Sequence, residues 1–230
     1  MKNIQKIAFL SLTMMIMTLQ AFSRPTESWK EIGHEDNILI LSKTAKNAVL
    51  PFKAIGEIEA DIETLLAILK DHTQKQKWAP KLEKVTIHKE LSENIFIFSE
   101  YYKTPWPATD REFLLKGEII KLTKNTVLLK AHSVDQEKAY EHFKSENHIQ
   151  ADVKYLNLTL SKVSANRTAI EFEFHGDMKG WMPLWLMNLI QKKWPLRFIQ
   201  GLREHSLSYK NHNLKTPPNQ AILSQNFSQN

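Results

Sequence analysis

The sequence predicts an α+β fold in which a curved antiparallel sheet packs around a long C-terminal helix. Three observations lead to this prediction: short β-type segments follow one another from residue 38 to 178, polar turns of a few residues separate several of them, and an apolar pattern of helical period runs from 180 to 209. Connections this short join antiparallel neighbours, because a parallel crossover needs about a dozen residues or more. A chain of 230 residues can bury one good core, so we expect a single domain.

Residues 1–23 have the pattern of a secretory signal peptide. Lys2 and Lys6 precede an apolar run of about a dozen residues, and Ala21 and Ser23 are small residues suited to a cleavage site. The run is shorter than the ~20 residues that span a bilayer. We therefore expect cleavage and export to the periplasm or the medium, with an uncleaved anchor as the alternative. The chain has no cysteine, which excludes disulfides and thiolate chemistry.

The predicted strands are rich in branched and aromatic residues and are bounded by polar turns. In the last of them, Ile170, Phe172 and Phe174 lie on one face and charged or polar residues on the other. The apolar face needs a cover, and the C-terminal helix is the long element left to provide it. The predicted strands are 38–44, 51–60, 84–90, 94–102, 112–122, 126–134, 152–164 and 168–178.

Two segments predict helices. The first covers 61–78, where Asp61 suits an N-cap and apolar residues recur at helical spacing. The second covers 180–209, and Pro195 within it must kink the helix or divide it. Residues 211–230 are polar and rich in proline, asparagine and glutamine, so we expect a disordered tail there.

Motifs for catalysis and nucleotide binding do not occur in the sequence. There is no nucleophile elbow and no glycine-rich phosphate loop. His142 and His148 flank a polar loop with Glu141 and Glu146, but their spacing matches no metal motif, and solvated loop residues are the better interpretation. The net charge of +6 is too small to indicate a nucleic-acid partner. We therefore expect no metal, no cofactor and no nucleic acid.

Tryptophans are concentrated in one loop and in the C-terminal helix. Trp106 stands between two prolines, and Trp181 and Trp185 lie near a basic segment that includes Lys192 and Lys193. A basic, Trp-rich amphipathic element can sit at a membrane interface, while core packing is the alternative. For Trp106 we favour the membrane interface, because a large apolar side chain held in a loop needs a reason to be there.

Four features, in this order along the chain, resemble the START (StAR-related lipid transfer) domains over roughly Trp29 to Tyr209. Trp29 opens the region before a strand, and Trp78 lies in KQKWAPKLEKVTIHKEL, between the first helix and the next strand. P-W-P-x-x-D-R-E at 105–112 is similar to the P-x-P-x-x-x-R-D signature of the family. The stretch GDMKGWMPLWLMNLIQKKWPLRFIQGLR at 176–203 resembles the loop and closing helix of these domains.

This resemblance implies a helix-grip fold of the START/Bet v 1 type, in which the sheet grips the C-terminal helix and an apolar cavity lies between them. Such domains bind one lipid or other hydrophobic molecule, and many carry it between membranes. We therefore expect residues 24–210 to form a START-like domain that binds such a molecule without catalysis. It would act as a monomer that touches membranes transiently, with residues 103–110 and 182–205 as its gate.

The site residues implied by the resemblance fall into three groups. The expected cavity lining consists of Phe98, Tyr101, Phe113, Leu115, Leu129, Ile170, Phe172, Phe174, Leu186 and Ile190. The expected gate and membrane contacts are Trp106, Trp181, Trp185, Lys192 and Lys193. The expected structural motif comprises Trp78, Asp110 and Arg111, with Arg111 paired to a carboxylate such as that of Asp110 or Glu112.

Departures from the family pattern limit the choice of cargo. Many members carry a second arginine six residues after the signature arginine, and here that position is Gly117. Phe113 and Leu115 lack the hydroxyls that phosphocholine-binding members place near the head group. The sequence therefore argues against phosphatidylcholine and leaves sterol-like, fatty-acyl and isoprenoid cargo open.

Two other functions remain open at this point. The chain could be a cyclase or hydrolase of the helix-grip superfamily acting on a hydrophobic substrate, with Glu100, Tyr101, His132 or His175 as acid–base groups. It could also be an interaction module whose own side chains fill the cavity.

Overall fold

The computed structural model describes residues 28–43, 49–134 and 148–215. The predicted signal peptide lies outside the described residues, as do residues 216–230 of the predicted tail and the loop with Glu141, His142 and Glu146.

The predicted α+β class is confirmed: a large antiparallel sheet is combined with a long C-terminal helix. The described strands are β1 (Lys30–Glu35), β2 (Ile38–Ser42), β3 (Val49–Ile58), β4 (Leu82–Ser92), β5 (Ile95–Tyr102), β6 (Arg111–Thr123), β7 (Thr126–Ser133), β8 (Ile149–Gln150), β9 (Asp152–Ser164) and β10 (Arg167–Asp177). The described helices are α1 (Ile62–Lys70), a short 3-10 helix (Lys75–Lys77) and α2 (Leu184–Lys215).

The strands form one sheet in the order β1-β2-β3-β10-β9-β7-β6-β5-β4. All neighbours along this path are antiparallel, including the three pairs that the short polar turns predict, β4–β5, β6–β7 and β9–β10. The two-residue β8 pairs in parallel with the start of β6 and lies off the path. Strands β1 and β8 were not predicted, because β1 is a polar, largely exposed edge strand and β8 is too short to show a period.

One face of the sheet is covered by α2, as predicted. Ile170, Phe172 and Phe174 are buried on this face of β10, while the intervening residues lie on the other face. The Phe172 ring stacks on the ring of Phe198 in α2 with centroids 4.9 Å apart and lies 5.5 Å from that of Trp194. The strand alternation read from the sequence therefore identifies the covered face.

The first helix is shorter than the predicted segment 61–78. It ends at Lys70, and the Asp71 carboxylate accepts hydrogen bonds from the backbone N–H groups of Thr73 and Gln74. A side chain that captures nearby N–H groups offers the backbone an alternative to continuing the helix. The prediction beyond Lys70 is therefore wrong, since a turn and a short 3-10 helix take the place of the last two helical turns.

The C-terminal helix is continuous from Leu184 to Lys215, with Pro195 inside it, so of the two predicted alternatives, a kink or a division, the division does not occur. The helix includes residues 211–215, which were predicted to belong to the disordered tail. It passes very close to the turn that follows α1. A Cβ atom added at Gly201 would lie 2.1 Å from the carbonyl oxygen of Trp78, so only glycine allows this approach. The Trp78 ring packs edge-on against Phe198 with centroids 5.3 Å apart, which anchors the turn against the helix.

Candidate functional site

Two neighbouring cavities lie between the covered face of the sheet and α2. The first cavity has a volume of about 240 Å³ and is bounded by the loop 103–110 and the N-terminal half of α2. The second cavity has a volume of about 320 Å³ and lies beside the C-terminal end of α1, over strands β4 to β7. The two cavities adjoin each other, since both are lined by Glu100, Tyr102, Leu115, Leu156 and Trp194.

Most of the predicted cavity residues line one or both of these cavities. The first cavity is lined by Phe113, Leu115, Phe174, Leu186 and Ile190. The second is lined by Phe98, Leu115, Leu129 and Phe172. The prediction omitted several further lining residues: Phe52, Tyr102, Val153, Leu156, Met178, Met182 and Trp194.

Two of the residues predicted to line the cavity, Ile170 and Tyr101, line neither cavity. Ile170 is buried in the core but lines neither cavity. Tyr101 lies on the opposite face of β5, where its hydroxyl donates a hydrogen bond to Asp110 and its ring lies 5.0 Å from that of His148. Because side chains alternate along a strand, Phe98 and Tyr101 cannot share a face. Applying that rule from Phe98 would have identified Tyr102 instead.

A polar cluster lies in the wall that the two cavities share. Glu100 and Tyr102 line both cavities, and Lys75 lines the second. The Lys75 ammonium forms an ion pair with Oε1 of Glu100, and the Tyr102 hydroxyl donates to Oε2 at 2.7 Å. Glu100 is only 4% exposed. Burial, together with the Glu100 carboxylate, raises the pKa of Tyr102 well above its ordinary value, so this hydroxyl stays protonated.

Gly117 has a structural explanation. A Cβ atom there would lie 2.8 Å from Cε1 of Phe98, so the Phe98 ring occupies the space over this position. Phe98 and Gly117 both line the second cavity. The position at which the resemblance leads one to expect an arginine is therefore covered by an apolar ring in this chain.

The opening of the first cavity carries a patch of exposed apolar side chains, which we call the mouth patch. Trp106 is 88% exposed, beside the lining residue Pro105. Trp181, Leu184 and Trp185 are each 57–65% exposed and flank the lining residues Met182 and Leu186. Exposed apolar side chains gathered near one cavity are typical of an interaction site.

Basic side chains surround the same opening. Lys103 and Lys193 line the first cavity and form ion pairs with Asp110 at 2.9 Å and Glu35 at 3.1 Å. Lys192 is exposed on α2 but lines neither cavity. Lys81 and Arg197 also line the first cavity, so basic side chains border its opening.

Arg111 connects the two segments that border the opening, but not in the predicted way. Its side chain is 2% exposed and donates to backbone carbonyls on both sides. Nε donates to Met178 O at 3.2 Å, and Nη2 donates to Lys179 O at 3.0 Å and to Trp181 O at 3.2 Å. Nη1 donates to Thr109 O within the loop. The prediction that Arg111 pairs with a carboxylate is therefore wrong: its guanidinium group binds four backbone carbonyl oxygens.

The two carboxylates proposed for Arg111 have other partners. The Asp110 carboxylate accepts from Tyr101, from Lys103 and from the Thr104 N–H at 2.8 Å. Burial alone would raise the pKa of Asp110, but these hydrogen bonds lower it overall. The Glu112 carboxylate pairs with His148. Asp110 therefore closes the base of the loop 103–110, while Arg111 fixes the loop to the segment before α2.

The residues considered for catalysis are not brought together. Glu100 lies in the cavity wall, whereas Tyr101 is on the opposite face of the sheet. His132 is exposed, and the His175 ring packs against Tyr155 on the outer face with centroids 5.4 Å apart. Within the described part of the chain, no group of three or more His, Asp or Glu side chains is placed to hold a metal ion.

The family profile described as "START domain" matches residues 18–211 of this chain. An uncharacterised protein of Pseudomonas aeruginosa is 24% identical over 192 residues, which cover 77% of this chain and 86% of that protein. Proteins with START domains generally bind lipids.

Solved structures agree on the fold. Human STARD10 superposes with a TM-score of 0.72 at 14% identity, covering 88% of this chain and 82% of that one. A StAR-related lipid transfer protein from Xanthomonas axonopodis gives a TM-score of 0.66 at 16% identity, covering 77% of this chain and 98% of that fragment. An aromatase/cyclase from Streptomyces sp. R1128 also shares the fold, with a TM-score of 0.50 at 8% identity over 69% of this chain and 93% of that one.

Proposed function

We propose that this chain, which belongs to the START domain family, holds one hydrophobic molecule in the cavities beneath α2 and transfers it between membranes or carriers without catalysis. The observation that carries the proposal is the pair of adjoining cavities, lined largely by apolar side chains, beneath an exposed apolar and basic mouth. Several lining residues, among them Leu129, Leu156 and Ile190, are only half-buried, so their own neighbours do not fill the space.

The physical chemistry of such a site favours a long apolar cargo. Each CH₂ group buried contributes about 0.8 kcal/mol, so an acyl chain or polycyclic skeleton is held tightly without any reactive group. The same term opposes release into water, so loading and unloading require contact with a membrane. Sterol-like, fatty-acyl and isoprenoid molecules fit this chemistry. Phe113 and Leu115 offer no hydroxyl to a phosphocholine head group, which argues against phosphatidylcholine.

The mouth patch supports the membrane contact. The loop 103–110 and the N-terminal half of α2 form the sides of the first cavity and carry the exposed tryptophans. Separation of these segments would open the cavity towards the surface that the tryptophans touch.

None of the helices in the described residues is long and apolar enough to cross a membrane. We propose a transient surface contact by a monomer that the predicted signal peptide directs to the periplasm or the medium.

The proposal is tested by identifying the cargo. The protein is purified without detergent, extracted with organic solvent and analysed by mass spectrometry, with a mock purification as the control. We expect one lipid class at up to about one molecule per chain. A protein that carries no lipid and takes up neither a fluorescent fatty acid nor a fluorescent sterol would refute the proposal.

Replacing Trp106 with alanine tests the membrane contact. Because the side chain is 88% exposed, we expect nearly unchanged stability. Withdrawing ~60 Å² of this ring from water at a membrane surface contributes about 1.5 kcal/mol, so we expect transfer of a fluorescent lipid between anionic vesicles to slow roughly tenfold.

Leu122→Ala is the matched control, because Leu122 is 53% exposed at the β6–β7 hairpin, away from both cavities. We expect its transfer rate to equal that of the unaltered chain. A Trp106→Ala protein that transfers lipid at the original rate but unfolds at much lower denaturant would show that Trp106 belongs to the core.

A further inference from the structure

We infer that the cargo is an elongated amphiphile with a neutral hydrogen-bonding group between two apolar segments, and that Lys75, Glu100 and Tyr102 bind that group. This inference rests on the proposed function and specifies the cargo class. Its basis is the position of the polar cluster: it lies where the two cavities meet, not at the opening.

Apolar side chains line both cavities beside the cluster. The first cavity also has basic lining residues, and the second has Lys70, Glu90, Glu118 and Lys130. On the side of the first cavity, Phe113 and Phe174 face the space, and on the side of the second, Phe98 and Leu129 do so. A molecule lying along both cavities would therefore place its middle against Glu100 and an apolar segment against the phenylalanine and leucine side chains on either side. The positions of these side chains specify where along the cargo a polar group would be stabilised.

The cluster has hydrogen-bonding capacity beyond its internal bonds. A carboxylate offers about four acceptor sites, and the bonds from Lys75 and Tyr102 use one on each oxygen of Glu100. An ammonium has three donors, and a phenolic oxygen can also accept. A hydroxyl or an amide can therefore both donate to and accept from this cluster.

The charge balance of the cluster favours a neutral group. Lys75 and Glu100 compensate each other, so the pair has no net charge with which to offset a third ion. Burying an uncompensated charge costs far more than burying a hydrogen-bonded hydroxyl. We therefore assign hydroxyl, amide or ester groups to this position rather than a free carboxylate or amine.

A purely structural role for the ion pair is the competing explanation, since it ties the turn after α1 to β5. Buried ion pairs seldom add net stability over apolar residues of similar volume, so stability measurements alone do not separate the two roles. Ligand selectivity separates the two roles, because loss of a purely structural ion pair would change the affinities for hydroxylated and unsubstituted acyl chains equally.

The experiment compares the affinity of the protein for stearic acid, 12-hydroxystearic acid and 2-hydroxystearic acid, measured by displacement of a fluorescent fatty acid. Hydrogen bonds to charged groups contribute about 1.5–3 kcal/mol, so after desolvation of the hydroxyl we expect roughly tenfold tighter binding of the mid-chain isomer. The 2-hydroxy isomer places its hydroxyl at the end of the chain and is expected to show no such preference.

Variants assign the preference to the cluster. In Tyr102→Phe and in the double variant Lys75→Met/Glu100→Leu, we expect the ratio of affinities for 12-hydroxystearic and stearic acid to fall towards one. Tyr155→Phe is the matched control: its hydroxyl donates to Glu173 at 2.9 Å on the outer face of the sheet, so the ratio should be retained.

Each outcome is decisive. Equal affinities for the three acids, or a preference that survives in the double variant, overturns the inference while leaving lipid binding intact. If no fatty acid binds, the extracted cargo decides: a molecule with no polar group between apolar segments overturns the inference, and one with such a group supports it. Absence of any bound lipid would refute the proposed function itself, and the inference with it.

Discussion

The variant Arg111→Met should lower the free energy of unfolding by about 2–4 kcal/mol, because it removes four hydrogen bonds from a charged group and leaves the buried Met178 carbonyl without this donor. Four carbonyl oxygens lose their partner, on Thr109, Met178, Lys179 and Trp181. For a domain of this size, the loss corresponds to a decrease in Tm of roughly 10 °C. Urea unfolding followed by circular dichroism measures the difference.

Two further variants make this test specific. Arg111→Lys keeps the charge but lacks the planar fork of five donors, so we expect it to recover only part of the stability. Arg203→Met removes an arginine at a more exposed site, where it bonds to Asp36 at 2.6 Å and to the Glu57 carbonyl at 3.2 Å, and should cost about 1 kcal/mol or less. If Arg111→Met is no less stable than Arg203→Met, the hydrogen bonds of Arg111 do not hold the loop 103–110 to the segment before α2.

The sequence was sufficient for the sheet and the covering helix because both follow local rules. Alternation in β10 identified the buried face, and the polar turns identified three antiparallel pairs. The full strand order was not predicted, because β3 pairs with β10 and β7 with β9 across long stretches of chain. The end of α1 was missed because Asp71 competes locally for backbone N–H groups, an effect that apolar periodicity does not reveal.

The candidate site was predicted only in part, because strand alternation is visible in the sequence and long-range contacts are not. Side chains such as Phe113 and Leu129 follow from strand alternation once the covered face is known. The carbonyl partners of Arg111 are 67–70 residues away for three of its four bonds, and Lys75 is 25 residues from Glu100. Contacts over such separations arise from tertiary packing, and a single sequence contains no periodic signal for them.

The second large effect is expected from filling the cavities. Leu156 is half-buried and lies in the wall of both cavities, so Leu156→Trp places an indole ring in the space assigned to the cargo. Excluding several methylene groups, at about 0.8 kcal/mol each, weakens binding at least about 100-fold. Folding should tolerate the change, because the larger side chain occupies existing space, whereas overpacking a filled core costs ~1–3 kcal/mol.

Leu39→Trp is the matched control for this substitution. Leu39 is also half-buried, but it lies on the outer face of β2, next to a surface groove distinct from the two cavities. The same increase in side-chain volume at this position should leave lipid affinity unchanged.

The claim that the cargo lies between the sheet and α2 is tested most directly by titrating the unaltered chain, Leu156→Trp and Leu39→Trp with a fluorescent fatty acid and a fluorescent sterol. Thermal unfolding of each variant is measured alongside. We expect a probe bound by the unaltered chain and by Leu39→Trp to be lost from a folded Leu156→Trp protein. Equal affinity in all three folded proteins would place the cargo elsewhere and contradict this account.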